Sequence, residues 1–224
     1  MEVRSLSVSA PISLVLHGDV LDPWCWIAEN RIAIAAEELR GRYAPVEHAA
    51  LPRSWEARVP SAAERRRLAA ELRRAGRQPD APPFSPELWT ANETGPQSSA
   101  PALLAIAAAR LQGPAAARAL RSALREAALV VGLDVSRRDI VIEIAARVGL
   151  DLTRFVPAFQ AQATERALLD DICAAWELGI ESGPALVIGE NWLVSGLRTL
   201  RDYRALLRRY LSRCAGRPVE HVLH

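Results

Sequence analysis

The sequence lacks lysine, long apolar runs and a cysteine framework. All 28 basic residues among the 224 are arginine, which we attribute to the base composition of the coding genome. No apolar stretch approaches the roughly 20 residues that cross a bilayer, and a net charge of +2 gives no electrostatic footprint for nucleic acid. The apolar stretch at residues 12–16 lacks a following cleavage site of small residues, so it reads as a strand and not a signal peptide. These absences predict a cytoplasmic globular protein without nucleic-acid or membrane partners.

The three cysteines are Cys25, Cys173 and Cys214. They have neither the spacing of metal ligands nor a pairing pattern, so the sequence predicts no metal site and no disulfide framework. Cys173 and Cys214 lie in apolar helical patterns, where a free cysteine is usually a small buried hydrophobe. We therefore expect both to be buried.

The first 52 residues have the pattern of a β-α-β unit. Residues 12–18 are apolar and β-branched, which is typical of a buried strand. Asp22 is a good N-cap and Pro23 suits the first helical position, so a helix is predicted from Pro23 to Arg40. Residues 43–51 resemble a second strand, and the order favours a parallel pair.

The middle of the chain is predicted to be all-helical, and strand character returns after it. Ala, Leu, Arg and Glu recur at helical spacing between residues 53 and 163, and Ser136 with Asp139 suggests a capping box. A helix at 164–178, a hairpin from strands 184–188 and 192–195, and a helix at 200–210 follow. The predicted helices of the middle block are 102–111, 114–131 and 136–148.

Two short motifs carry the chemistry. The first is Asp19-Val20-Leu21-Asp22-Pro23-Trp24-Cys25-Trp26, at a strand-to-helix junction. It resembles the D-x-x-C-P-W-C-[WY] signature of the cytoplasmic branch of the DsbA family. That branch includes FrnE-like proteins, mycothiol-dependent reductases and glutathione-dependent hydroxychromene-carboxylate isomerases. Asp22 stands where the first cysteine of the signature belongs.

The second motif is Ser182-Gly183-Pro184-Ala185. It resembles the family's G-V-P segment, whose proline is cis and faces the first motif. Gly183 replaces the usual Val or Thr, and we expect this to widen the pocket. The resemblance implies an α/β, thioredoxin-like fold with a large all-helical domain inserted after the first β-α-β unit. The thioredoxin-like parts are then 1–52 and 164–224, and the insertion is 53–163.

The resemblance also implies the site residues. Asp22 and Cys25 are the catalytic candidates, and Pro23, Trp24, Trp26, Gly183 and Pro184 are candidates for a pocket that holds a substrate or thiol cofactor. Loop residues of the insertion could contact a ligand or be solvated, and His17 and His48 are expected at the surface or as caps. The loop residues are Trp89, Thr90, Asn92, Ser98 and Ser99.

Asp22 and Cys25 each have two interpretations. Asp22 is either a helix cap in a site that has lost catalysis or a carboxylate that accepts a proton or hydrogen bond. The helix N-terminus is expected to favour its ionised form. Cys25 is either a buried, inert thiol or a reactive one, and a nearby carboxylate opposes its thiolate.

Three functions follow from these alternatives. The first is a thiol-disulfide oxidoreductase that acts through Cys25 and a low-molecular-weight thiol such as glutathione or mycothiol. The second is an isomerase or transferase in which that thiol cofactor acts on a small organic substrate. The third is a catalytically silent binding module. Many relatives are dimers, so a homodimer is implied by analogy alone.

Overall fold

The computed structural model describes residues 10–91 and 95–215. The chain begins with the predicted β-α-β unit: β1 (Leu14–Gly18), α1 (Pro23–Glu37) and β2 (Glu47–Ala50). It ends with α8 (Gln162–Glu177), β3 (Ala185–Ile188), β4 (Trp192–Ser195) and α9 (Leu200–Ala215). The predicted order at both ends of the chain is therefore confirmed.

The described residues between β2 and α8 form six α-helices and one π-helical turn. A π-helical turn at Ala127–Val131 continues directly from α5. The α-helices are α2 (Ala62–Ala75), α3 (Pro86–Ala91), α4 (Ala100–Arg110), α5 (Pro114–Glu126), α6 (Arg138–Arg147) and α7 (Leu152–Gln160).

The four strands form one mixed sheet in the order β2-β1-β3-β4. β1 pairs with β2 in parallel, as predicted, and Leu16 lies opposite His48. β3 runs antiparallel to both β1 and β4. The order makes β2 an edge strand and puts β1, which leads into the motif helix, in the centre. The described residues include no helix that is both long and apolar enough to cross a membrane.

Three apolar clusters hold these layers together. One lies between the sheet and the helices α1 and α9, and it includes Leu16, Ile32 and Leu207. A smaller cluster, with Val187, lies on the opposite sheet face beside α8. The largest cluster belongs to the helical block, but it also takes in Val20 from the first β-α-β unit.

Some predicted boundaries differ from the structure. α1 ends at Glu37 instead of Arg40, and β2 covers only Glu47–Ala50. Pro45 explains the shorter strand, since it has no N–H to donate to the ladder. The predicted boundary at residue 163 falls inside the first turn of α8. The division into domains stays a prediction.

The capping box predicted for α6 is wrong. The N-cap is Arg137, and no side chain caps the helix there. Ser136 instead donates its hydroxyl to Asp134, within the turn that precedes the helix. A local hydrogen bond between two short polar side chains has replaced the predicted cap.

Candidate functional site

Asp22 is the N-cap of α1. Its carboxylate accepts hydrogen bonds from the backbone N–H groups of Trp24 (2.8 Å) and Cys25 (3.4 Å). The residue is only 5% exposed, and this burial raises the pKa of Asp22, although Arg53 and the Trp24 N–H act in the opposite direction. The helix N-terminus does favour the ionised form, as expected, but the net shift of the pKa is upward because desolvation outweighs the cap.

The sulfur of Cys25 is enclosed by two glycines. Cys25 has no exposed surface, and a Cβ atom added to Gly18 would lie 2.3 Å from Sγ. A Cβ atom added to Gly183 would lie 3.0 Å from the same sulfur. Burial, followed by the nearby Asp22 carboxylate, raises the pKa of the Cys25 thiol well above its usual range. The structure favours the inert interpretation of Cys25, since only the thiolate is a good nucleophile.

The peptide bond between Gly183 and Pro184 is cis, as the resemblance implies. Pro184 is buried. A Cβ atom at position 183 would lie 2.9 Å from Gly18 Cα and 3.1 Å from the carbonyl oxygen of His17. The expectation that Gly183 widens the pocket is therefore wrong. The missing side chain lets this loop pack directly against the end of β1.

The two motif tryptophans connect α1 to the helical block. Trp24 donates its indole N–H to Glu71 of α2 at 3.1 Å. Trp26 packs edge-on against Phe84, with 5.8 Å between the ring centroids. Pro23 is buried and lines a small cavity beneath Arg53. These three residues hold the motif against the insertion.

A cleft of about 290 Å³ opens beside the motif, and we call it the Arg53 cleft. Asp19 and Leu21 of the motif lie on one side, α2 lies on another, and Trp89, Ser98 and Ser99 close the third. Its lining residues are Asp19, Leu21, Arg53, Ser54, Arg58, Pro60, Glu64, Arg67, Leu68, Glu71, Trp89, Pro96, Gln97, Ser98 and Ser99.

None of the predicted pocket residues lines this cleft, nor do the catalytic candidates Asp22 and Cys25; of the predicted contacts, only the insertion residues Trp89, Ser98 and Ser99 do. Trp24, Trp26, Gly183 and Pro184 are not among its lining residues. Thr90 instead donates its hydroxyl to the carbonyl of Glu87, and Asn92 lies outside the described residues.

Arg53 organises the charges at the inner end of the cleft. Its guanidinium binds Glu71 at 2.8 Å and lies 4.0 Å from the carboxylate of Asp22. Its backbone N–H donates to Asp19 at 2.5 Å. Burial raises the pKa of Asp19, while the hydrogen bond from the backbone N–H of Arg53 lowers it. Arg53 therefore interacts with three carboxylates, those of Asp19, Asp22 and Glu71.

The mouth of the cleft carries more arginines. Arg58 pairs with Glu64 at 2.5 Å. Arg67 is exposed and forms no salt bridge with another described residue. Arg67 is therefore the cation in this cleft that is available to a ligand.

Residues 61–201 match the sequence model of the family described as Thioredoxin. The chain belongs to the thioredoxin family. A putative protein disulfide isomerase from Nitrosomonas europaea has a similar structure, with a TM-score of 0.74 and 22% identity over 91% of this chain and 98% of that one. The cytosolic disulfide reductase DsbM from Pseudomonas aeruginosa, solved with GSH, has a TM-score of 0.69 and 23% identity over 89% of this chain and 99% of that one.

A curated protein is also similar to this chain in sequence. The ClpXP adapter protein SpxH of Halalkalibacterium halodurans is 32% identical over 101 residues, which are 45% of this chain and 33% of that protein. The match thus spans about a third of the relative's length. Together with the solved structures, the family match confirms the predicted DsbA-like thioredoxin fold.

Other residues of this thioredoxin-family protein differ from the sequence predictions. Cys173 and Cys214 are exposed, so the expectation that they are buried is wrong. His17 and His48 are 4% and 5% exposed, so they are not surface residues. Arg53 was not predicted at the site; its one sequence signal is its place just after the second strand.

Proposed function

We propose that this protein binds a low-molecular-weight thiol of the glutathione or mycothiol class in the Arg53 cleft, and that this bound thiol, and not Cys25, supplies the reactive sulfur. The reaction would be an isomerisation or transfer on a small organic substrate. The observation that carries the proposal is the enclosure of the Cys25 sulfur between Gly18 and Gly183. Since Asp22 replaces the first cysteine, neither motif position offers an accessible thiol.

The oxidoreductase that acts through Cys25 has less support. Such a mechanism needs a thiolate that reaches a disulfide. Here the sulfur has no exposed surface, and its raised pKa keeps it protonated. Both conditions for attack are therefore missing in the folded protein.

The charges of the Arg53 cleft suit a zwitterionic thiol such as glutathione. Three arginines and three carboxylates line it. The carboxylates and the amino group of a zwitterionic ligand could therefore form ion pairs with residues of opposite charge in the cleft. Arg67 can bind a ligand carboxylate through its planar fork of N–H donors. The volume of about 290 Å³ lies at the lower end for small-molecule sites. The GSH in the similar DsbM structure supports the same ligand class.

Arg53, which lines the cleft, and Asp22, which lies next to Arg53 at the start of α1, would position the ligand's sulfur. Arg53 is the cation nearest to Asp22 and would stabilise a thiolate at this end of the cleft. Asp22, whose pKa is raised, would accept or donate a hydrogen bond there. A bound thiol would supply a nucleophile, and these residues would orient it.

A silent binding module is the second candidate. The missing first cysteine and the enclosed Cys25 favour it, and the curated relative is named as an adapter protein. In this case the same cleft would hold a partner segment without chemistry.

The test combines adduct mapping with ligand binding. Both experiments use the Cys173→Ser/Cys214→Ser background, because these exposed thiols would otherwise react. We expect oxidised glutathione to leave Cys25 unmodified in the folded protein and to modify it after unfolding in guanidinium chloride, as read by intact mass. We also expect calorimetry to show glutathione or mycothiol binding that weakens about tenfold in Arg67→Gln, with Arg66→Gln as the exposed control outside the cleft.

Two results would contradict the proposal. Rapid modification of Cys25 in the folded protein would establish the single-cysteine oxidoreductase instead. Absence of binding by both thiols, with Cys25 still protected, would favour the silent binding module.

Restoring the first cysteine should restore dithiol chemistry. In the same background, Asp22→Cys places a second thiol at the N-cap, three residues before Cys25, which is the spacing of the family signature. We expect oxidation with diamide to lower the mass by about 2 Da through loss of two thiol hydrogens, with Asp22→Ser unchanged. A variant that keeps both thiols free would show that the enclosure of Cys25 blocks the bond.

A further inference from the structure

A second groove shares no lining residue with the Arg53 cleft. It has a volume of about 390 Å³ and runs between the edge strand β2 and the first turns of α5. We call it the β2-edge groove. Arg110, Arg118 and Arg121 line it, together with His48 and Asp171. A neighbouring cavity of about 270 Å³ also reaches Arg118.

Arg121 and His48 line this groove and also belong to a buried charge cluster, whose other members, Arg125 and Glu29, are not lining residues. The side chains of Arg121 and Arg125 are 4% and 2% exposed, and both bind the carboxylate of Glu29. Arg125 also contacts the imidazole of His48 at 3.4 Å. His48 changes this charge balance in neither direction, since burial and the neighbouring arginines lower its pKa and favour the neutral imidazole. The single negative charge of Glu29 therefore lies between two buried guanidinium groups and neutralises only one of their two positive charges.

The Glu29–Arg121–Arg125 cluster therefore carries a net positive charge beside the groove. The Nε atom of Arg125 has no hydrogen-bond partner among the described residues. A buried charge is costly unless it is paired and hydrogen-bonded. An anion at the groove would compensate the excess charge of Arg121 and Arg125.

The remaining charges of the groove do not remove this excess. Arg110 is neutralised by Asp171 at 2.9 Å and also donates to the backbone carbonyl of His48. Glu47 is exposed at the rim. Arg118 is exposed as well and forms no salt bridge in the described part of the chain. Four guanidinium groups thus face three carboxylates, and Arg118 is available for a ligand.

We propose that the β2-edge groove binds a small oxyanion, the carboxylate or phosphate group of a metabolite, between Arg118 and Arg121. Arginine presents N–H donors in a planar fork that matches both groups. The site is independent of the thiol proposed for the Arg53 cleft, because no lining residue is common to both.

The test uses inorganic phosphate and citrate as probes at constant ionic strength. We expect saturable shifts of ¹⁵N-NMR amide signals confined to residues 46–49 and 114–121 in the wild type. Arg118→Gln should weaken the apparent Kd about tenfold or more. Arg66→Gln, an exposed arginine on α2, should leave it unchanged. Tighter binding of phosphate or of citrate would identify the preferred oxyanion, and either supports the site.

Three results would overturn the proposal. They are the absence of saturable binding of both probes, equal affinities for wild type and Arg118→Gln, and shifts that map outside the groove. Because Arg118 is exposed, the variant should keep the wild-type Tm, so a loss of binding reports on the site. Thiol binding in the Arg53 cleft should be the same in Arg118→Gln, which separates a failure of this site from a failure of the proposed function.

Discussion

Gly18→Ala should destabilise the protein by about 3 kcal/mol, the upper end of what overpacking of a core usually costs. The added Cβ atom would lie 2.3 Å from Cys25 Sγ and 3.3 Å from its Cβ atom. Both close contacts are with the side chain of one residue. Since Cys25 has no exposed surface, its sulfur has little room to move aside. The expected result is a lower midpoint in urea denaturation.

A double-mutant cycle distinguishes this clash from general damage. Cys25→Ala removes the sulfur that Gly18→Ala would meet, so the double variant should recover most of the loss, with a coupling energy of about 2 kcal/mol. Gly183→Ala should be equally destabilising, but Cys25→Ala should not rescue it. Its added Cβ atom would still meet backbone atoms of Gly18 and His17 at 2.9 and 3.1 Å.

The cycle also tests the enclosure on which the proposed function depends. Additive costs for Gly18→Ala and Cys25→Ala would show that the sulfur does not lie against Gly18. Rescue of Gly183→Ala by Cys25→Ala would show that the loop moves more freely than the contacts with β1 suggest. Either result would restore Cys25 as a candidate nucleophile.

The sequence predicts the ends of this fold well because local signals and the motif agree there. Asp22 and Pro23 mark the start of α1 by cap chemistry, and the structure places the N-cap at Asp22. The predicted second strand, 43–51, is longer than β2, because the apolar pattern of the sequence continues through Pro45 while the ladder hydrogen bonds do not. Local patterns locate elements, but pairing decides their length.

The candidate site was harder to predict because long-range contacts form it. Glu71 of α2 contacts Arg53 and Trp24, which lie 18 and 47 residues earlier in the chain, and no spacing rule connects these residues. The absence of a side chain at Gly183 predicts a wider pocket. Only the folded backbone shows that β1 and Cys25 fill that space. Residue types in a motif therefore indicate the chemistry, whereas accessibility depends on packing.

Glu29→Gln should be the most destabilising substitution, at about 3–5 kcal/mol, which is typical of breaking a buried ion pair by removing one partner. The Glu29 side chain is 15% exposed, and it binds both Arg121 and Arg125. Without its charge, two buried guanidinium groups face each other unbalanced. Glu126→Gln is the matched control, since Glu126 is exposed on the same helix as the two arginines. Urea denaturation at neutral pH measures the free energy of unfolding of both variants and of the wild type.

The pH dependence of the free energy of unfolding provides an independent test of the role of Glu29. Burial alone would raise the pKa of Glu29, but Arg125 and Arg121 lower it to about 2, against an ordinary value of 4.5. A carboxyl whose folded pKa is depressed stabilises the protein above its unfolded pKa and loses that contribution as the pH falls through the folded pKa. The contribution of Glu29, roughly 3 kcal/mol, should therefore be complete above pH 4.5 and disappear towards pH 2.

The difference in unfolding free energy between wild type and Glu29→Gln isolates this contribution from other acids. It should be constant from neutral pH down to about 4.5 and then shrink as Glu29 becomes protonated. Glu126→Gln should show no such change. A wild type–variant difference that is independent of pH would mean that Glu29 is not the anion that holds Arg121 and Arg125. In that case the excess positive charge at the β2-edge groove would have another counter-ion.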